Sequence, residues 1–304
     1  MNNKQLQYAI ALSKSLNFSQ VAEKLGISQP ALSKQILNLE KDLGIELFDR
    51  KQTPLALTPA GEHFFQHAQD LVYREEQLYK SMEDFKSFKK GTLNIGISPF
   101  RSLYLMPNLS KKIREKFPDV KIVLHEYSSD ILRANAIDGK YDFAIVNLPV
   151  NESILDITPI EQDQLVLAVP ENLIKLMECS LNKDTNYIDF KYCKNLPFIV
   201  VSQNQEMRHL FEKICAMSEI EPPIAMEVVG LTTAWTMAQA GIGATILPLQ
   251  FLQNVDIKRN LKLLIPKHKA NVRQPAIIMR RGQYISPYAK YAIELLTKNT
   301  GKLL

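Results

Sequence analysis

The chain has 304 residues, enough for two or three domains with substantial cores. Apolar residues make up 46% and charged residues 23%, ordinary for a globular protein and unlike a disordered or fibrous one. The net charge of +5 only mildly favours an anionic partner, and the three widely spaced cysteines, Cys179, Cys193 and Cys215, suit reduced thiols better than a disulfide or a zinc knuckle.

The opening MNNKQLQYAIALSKS has no sustained apolar segment or small-residue cleavage site, and cytoplasm is the expected location. The longest uninterrupted apolar run, near Pro197 to Val201, is too short to cross a bilayer, so no membrane partner is expected. Residues 3–15 read as a first helix, with Leu6, Ala9, Ile10 and Ser13 on its inner side. From Phe18 to Phe48 the pattern is helix, tight turn, helix. Ser19 is a candidate N-cap, Val21, Ala22 and Leu25 form a short apolar stripe, and Gly26 suits a helix C-terminus. Ser28 then caps a second helix that opens on Gln29 and Pro30, where a missing N–H costs no intrahelical bond. Leu32, Ile36, Leu39 and Leu43 follow at i, i+4, i+7 and i+11, a single buried face. The other face shows Gln29, Ser33, Lys34 and Asn38, as a helix does when it is held on one side and laid in a DNA major groove on the other. Two amphipathic helices around a glycine turn also occur in proteins that never touch DNA. Charge does not settle the matter: residues 1–60 hold seven Lys or Arg against five Asp or Glu.

After Phe48, DRKQTPLALTPAG reads as a two-stranded wing, with Leu55 and Leu57 alternating and Arg50 and Lys51 placed to reach phosphates, or else as a solvated turn. Thr58 and Pro59 begin a long helix reaching Lys89. Phe64, Ala68, Leu71, Glu75, Leu78, Met82 and Phe85 mark a heptad seam along it, with too little sequence nearby to bury it. His63 and His67 lie one turn apart without an HExxH or a third ligand, so no metal is expected there. From Gly91 strands alternate with helices: strands at 93–97, 120–124, 143–146, 165–169, 198–201, 226–229, 244–247 and 276–279, helices at 103–116, 131–138, 207–217, 231–240 and 287–296. This alternation predicts an α/β fold with mainly parallel sheets.

The block SQPALSKQILNLEKDLGIELFDR, ending in LTPAG, resembles the N-terminal winged helix-turn-helix of LysR-type transcriptional regulators. The likeness covers Ala22, Ser28 to Ser33, Gln35, Ile36, Leu39, Glu40, Leu43, Gly44, Leu47, Phe48, Arg50, Leu57 to Pro59 and Gly61. It departs from the family at Lys34, Leu37 and Asn38, where arginines are frequent, and at Gln52 and Thr53, where the wing often holds a glycine. Lys34 lacks the bidentate fork that arginine offers guanine. Residues 91–304 resemble the family's two-lobed effector domain, akin to periplasmic binding proteins, most visibly in GKYDFAIVNLP and GIGATILP. The resemblance implies a DNA-binding domain at 1–58, a linker and dimerisation helix at 59–90, and an effector domain at 91–304. Lobe I would hold 91–163 and 268–304, and lobe II 164–267.

In open α/β sheets ligands lie beyond the carboxyl ends of strands, at helix N-termini. That rule selects Ser98, Pro99, Phe100 and Arg101, then Ser128 and Ser129, Asn147, Ser202 and Gln203, and Thr232 and Thr233. Hydroxyls, helix N-termini and Arg101 would suit a small anion such as a carboxylate, and the same residues also serve as plain helix caps. No GxSxG occurs, His125 and Glu126 have no matching nucleophile, and the glycines of Gly241–Gly243 precede a strand, so neither a catalytic centre nor a bound cofactor is expected. The expected protein is a regulator, not an enzyme. It binds double-stranded DNA through Ser28, Gln29, Pro30, Ser33, Lys34, Asn38, Arg50 and Lys51, responds to a small-molecule effector, assembles as a homodimer or homotetramer, and acts indirectly on RNA polymerase. The rival readings are an enzyme on the same two-lobed fold acting on a small carboxylate, and an exported solute-binding component.

Overall fold

The structure, a computed structural model, describes residues 1–86, 90–150, 153–177, 186–203, 205–254, 260–267 and 272–298. The chain divides into two compact units, Met1–Lys86 and Ser87–Leu304.

The first unit begins with α1 (Asn3–Ser15), α2 (Phe18–Leu25) and α3 (Gln29–Leu43). Asn2 and Gln5 cap α1 reciprocally, each side chain accepting from the other's backbone N–H at 2.9 and 2.8 Å. The N-cap of α2 is Asn17, not Ser19: Asn17 Oδ1 accepts from the Gln20 amide at 3.0 Å. The earlier start puts Phe18 in the first turn, its ring 6.5 Å from that of Phe48. Gly26 ends α2 at φ 66°, and Ser28 Oγ accepts from the Ala31 amide at 3.3 Å to start α3. Leu32, Ile36 and Leu39 of α3 are fully buried. Leu43 is exposed, because the core behind α3 ends one turn before Gly44. The wing is β1 (Phe48–Asp49) against β2 (Ala56–Leu57), antiparallel with Phe48 opposite Leu57, and Leu55 falls just outside it.

Thr58 caps α4 (Pro59–Lys86): its Oγ1 accepts from the Gly61 amide at 2.9 Å and donates to the Glu46 carbonyl at 2.7 Å. A Cβ on Gly61 would lie 2.1 Å from the Leu47 carbonyl oxygen, so only glycine lets α4 pass so close to the wing. Phe65 and Ala68 close the core on Phe48, with Phe48 and Phe65 rings 5.5 Å apart. Beyond them Leu71, Leu78, Tyr79 and Met82 are exposed. The Phe85 side chain and residues 87–89 lie outside the described part of the expected seam.

The second unit runs β3 (Gly91–Ile97), α5 (Pro99–Lys116), β4 (Val120–Glu126), α6 (Ser129–Ile137), β5 (Phe143–Asn147), β6 (Leu155–Pro159) and β7 (Asp163–Pro170). It continues through β8 (Tyr187–Ile188), β9 (Phe198–Val201), α7 (Glu206–Met217), β10 (Ile224–Val228), α8 (Leu231–Gln239) and β11 (Thr245–Pro248). It closes with β12 (Leu261–Pro266), β13 (Val272–Arg273), β14 (Pro275–Arg280) and α9 (Pro287–Lys298). One sheet has the order β4-β3-β5-β14-β6, another β11-β7-β12-β8, and β9 pairs with β10.

The expectation of mainly parallel sheets is corrected to mixed ones. β3 pairs parallel with β4 and β5, whereas β14 pairs antiparallel with β5 and β6. β7 is likewise antiparallel to β11, β12 and β13. The reason is topological: β14 arrives from the far end of the unit and enters between β5 and β6, so no right-handed crossover connects it to them. Its six residues are all buried, as are those of β5, the pattern of central strands covered on both faces. The two stretches crossing between the sheets meet as a pair, Asp163 opposite Arg273 and Gln164 opposite Val272. The expected division at 163/164 therefore falls inside a strand, and the one at 268 lies outside the described residues.

Candidate functional site

Two arrangements hold the selected residues. On α3, Gln29, Pro30, Lys34 and Asn38 are exposed and Ser33 is half-buried, opposite the buried Leu32, Ile36 and Leu39. Ser28 spends its hydroxyl on the cap. Lys51 is exposed on the wing, its amide tied to Asp49 Oδ1 at 3.0 Å. Arg50 is differently placed: its Nη2 donates to Glu40 Oε2 at 2.6 Å. Glu40 is only 5% exposed, and its Oε1 accepts from the amides of Leu47 at 2.8 Å and Phe48 at 3.1 Å. One α3 carboxylate thus fastens the wing, and Arg50 completes it. His63 and His67 stack edge to face at 4.9 Å between ring centroids, and among the described residues no group of three metal-ligating side chains occurs.

In the second unit, Ser98 caps α5, accepting from the Arg101 amide at 3.4 Å, with Pro99 in the first turn. Arg101 is thereby buried at the carboxyl end of the sheet. Its Nη2 donates to Asn147 Oδ1 at 2.7 Å and lies 3.7 Å from Asp163 Oδ2, and its Nε reaches the Tyr104 hydroxyl at 3.4 Å. Asn147 Nδ2 donates in turn to Glu206 Oε2 at 2.6 Å, in the first turn of α7. Arg273 Nη2 pairs with Asp163, and its Nη1 approaches Met207 Sδ at 3.3 Å. Two guanidinium groups meet two carboxylates, so the cluster is close to neutral. Burial alone would lower the Arg101 pKa, but Tyr104, Asp163 and Glu206 raise it and the balance is upward, so the guanidinium stays charged. Burial raises the Tyr104 phenol more than Arg101 lowers it. Asp163 Oδ1 and Arg273 Nε are buried with no hydrogen-bond partner among the described residues.

The structure brings Ser98, Arg101 and Asn147 together and leaves other selected residues apart. Phe100 packs its ring 4.4 Å from that of Phe251, which meets Trp235 at 5.9 Å. Ser202 Oγ bonds the Val228 carbonyl at 3.3 Å. Ser128 sits at the N-cap of α6 without a side-chain cap bond, beside Ser129. Gln203, Thr232 and Thr233 are exposed. Among the described residues no hydrogen bond joins Ser128, Ser129, Gln203, Thr232 or Thr233 to the Arg101 cluster.

Residues 3–62 match the family described as bacterial regulatory helix-turn-helix protein, lysR family, and residues 86–301 match the LysR substrate binding domain. The chain belongs to the LysR family of transcriptional regulators. An uncharacterized HTH-type transcriptional regulator of Bacillus subtilis (strain 168), YcgK, is 28% identical over 306 residues, spanning 97% of this chain and 94% of that one. A probable RuBisCO transcriptional regulator of Cyanophora paradoxa is 29% identical, over 86% and 84% of the two chains. Among solved structures, a full-length OxyR variant from Pseudomonas aeruginosa matches with a TM-score of 0.66 at 22% identity, over 97% of this chain and 93% of that one. Full-length CbnR complexed with its target DNA matches at 0.58 and 19%, over 97% and 99%. At these identities the structural likeness is one of fold.

The Arg101 cluster of this LysR-type regulator also holds residues that the strand-end rule did not select. Tyr104 follows Arg101 by one helical turn, and Asp163 and Arg273 face each other across the paired crossing strands, both legible only once those strands are in register. Glu206 could have been found as an acidic residue in a helix's first turn, next to the strand end that was chosen.

Proposed function

We propose that this LysR-type regulator binds partly palindromic DNA as a homodimer or homotetramer and changes its grip on that DNA when a small metabolite enters the second unit. Its α3 would lie in the major groove, as the complex of CbnR with target DNA encourages, with Gln29 and Ser33 at base edges and Lys34 and Lys51 near phosphates. Two such helices would sit about 34 Å apart, one turn of DNA. The exposed Leu71, Leu78 and Met82 on α4 would be covered by the same helix of a second copy. The observation that carries the reading is α3 itself, capped at both ends and buried on one face, with hydrogen-bonding side chains exposed on the other.

The effector site proposed is the buried cluster at the ends of β3 and β5. Asn147 accepts from Arg101 and donates to Glu206, so the chain's own carboxylate takes an amide that a carboxylate effector would use in this reading. An anionic effector would take the Asn147 amide from Glu206 and shift the arrangement of the sheets that these residues join. Action on transcription would follow through DNA bending and RNA polymerase access, in the cytoplasm.

The test is selection of bound fragments from the source genome by the full chain, with and without candidate metabolites. Enrichment of one site family, altered by one metabolite class, is the expected result. Enrichment no better than for random DNA overturns the regulator reading, and turnover of a cleft-bound carboxylate would replace it with the enzymatic one.

A further inference from the structure

Pro30, Ser33, Lys34 and Leu37 follow on α3 at i, i+3, i+4 and i+7, so they share one face of the helix. Leu37 stands out on this face. Leu32 and Leu39 of the same helix are completely buried, whereas Leu37 is 50% exposed. Its neighbours along the exposed side, Lys34, Asn38 and Lys41, are exposed too, so it forms no apolar patch for a protein partner. Two cations flank it, as suits a surface laid against phosphates. Moreover, the wing cation Arg50 is held by Glu40, which leaves less of the recognition to ionic contacts.

We propose that Leu37 reads sequence by packing its isobutyl group on the C5-methyl group of a thymine in the major groove. This rests on the DNA-binding reading above. The major-groove edge of thymine is the one that carries a methyl group, and contact with apolar side chains is how that group is told from the hydrogen of cytosine. A leucine at the third turn can neither donate to nor accept from a base, so exclusion of water between two apolar groups is the discrimination it offers. Lys34, one turn earlier, and Asn38, beside it, supply the polar contacts that fix the register.

The experiment uses the full chain and a site selected from random DNA, with each thymine of that site replaced singly by deoxyuridine, which removes the methyl group alone. For the wild type, one thymine in each half-site should show an affinity loss of about fourfold, the worth of one buried methyl group. Leu37→Ala should bind the unmodified site more weakly by a similar factor and be indifferent to deoxyuridine at that same position, while keeping wild-type sensitivity elsewhere. Leu37 is half exposed, so this variant should keep the wild-type unfolding transition. A second variant, Leu37→Arg, should change the base selected at that position from thymine to guanine. Equal deoxyuridine losses for wild type and Leu37→Ala at every thymine overturn the proposal while leaving DNA binding standing, as does an unchanged base preference for Leu37→Arg. Failure to enrich any site overturns both readings together.

Discussion

Replacing Glu40 by alanine should release the wing. The carboxylate accepts from two backbone amides, those of Leu47 and Phe48, and from Arg50. Both amides belong to fully buried residues, so no water can stand in for the lost acceptor without opening the core. A buried amide left without a partner costs about 1–3 kcal/mol, and hydrogen bonds to an ionised group lie in the upper part of the usual range. The Arg50 contact adds less, because that side chain is one-third exposed and solvent screens it. Together the loss should be about 3–4 kcal/mol, a large share of the stability of a small domain. Hydrogen exchange in the full chain measures it directly: the Leu47 and Phe48 amides should exchange a few hundredfold faster in Glu40→Ala, since about 1.4 kcal/mol is tenfold. Glu40→Gln keeps an acceptor and should lose only about tenfold. If exchange at both amides changes less than threefold in Glu40→Ala, the carboxylate is not what holds the wing, and the ion pair with Arg50 is incidental.

Arg50→Ala should weaken binding to the selected site and to random DNA about equally, with the salt dependence of binding unchanged, because Arg50 acts through Glu40. A salt slope smaller by about 0.9 would instead identify a direct phosphate contact. Glu206→Ala frees the Asn147 amide and should raise affinity for a carboxylate effector about tenfold, the worth of one hydrogen bond to a charged group, read by titration calorimetry; unchanged affinity would remove Glu206 from the site. Burial, with Glu212 nearby, pushes the Cys215 thiol from 9.0 up to about 12, and burial raises the Tyr104 phenol as well. These acids ionise sooner in the unfolded chain, so their contribution is complete below about pH 9 and is lost as the pH rises toward about 12. Urea midpoints should therefore hold steady to about pH 9 and fall above it, less steeply in Cys215→Ala.

How much of this was legible in the sequence depended on the distance over which each residue's partner lies. Ser28 and Thr58 accept from amides three residues on, Gly26 donates to carbonyls within four residues and Pro59 opens α4, so their roles in starting and ending α2, α3 and α4 follow from spacing alone. Arg50 was legible as a cation on a wing but not as the partner of Glu40, because nothing in the stripe Leu32, Ile36, Leu39 marks the next residue as a buried acceptor. Leu43 shows the converse: a periodic pattern continues to the end of a helix even where the core behind it has stopped. In the second unit, strand ends pointed to Ser98, Arg101 and Asn147, which the fold brings together, since helix caps and strand termini are local features. The same rule offered Thr232 and Ser128 with equal force, and could not separate them, because each stands at the start of a nine-residue helix, Ser128 as the N-cap of α6 and Thr232 just inside α8. What singles out Arg101 is Asp163 and Arg273, brought beside it by strands more than sixty and a hundred and sixty residues away. A charge set among partners that remote is specified by sheet register, and register is decided by the whole core rather than by any stretch of chain.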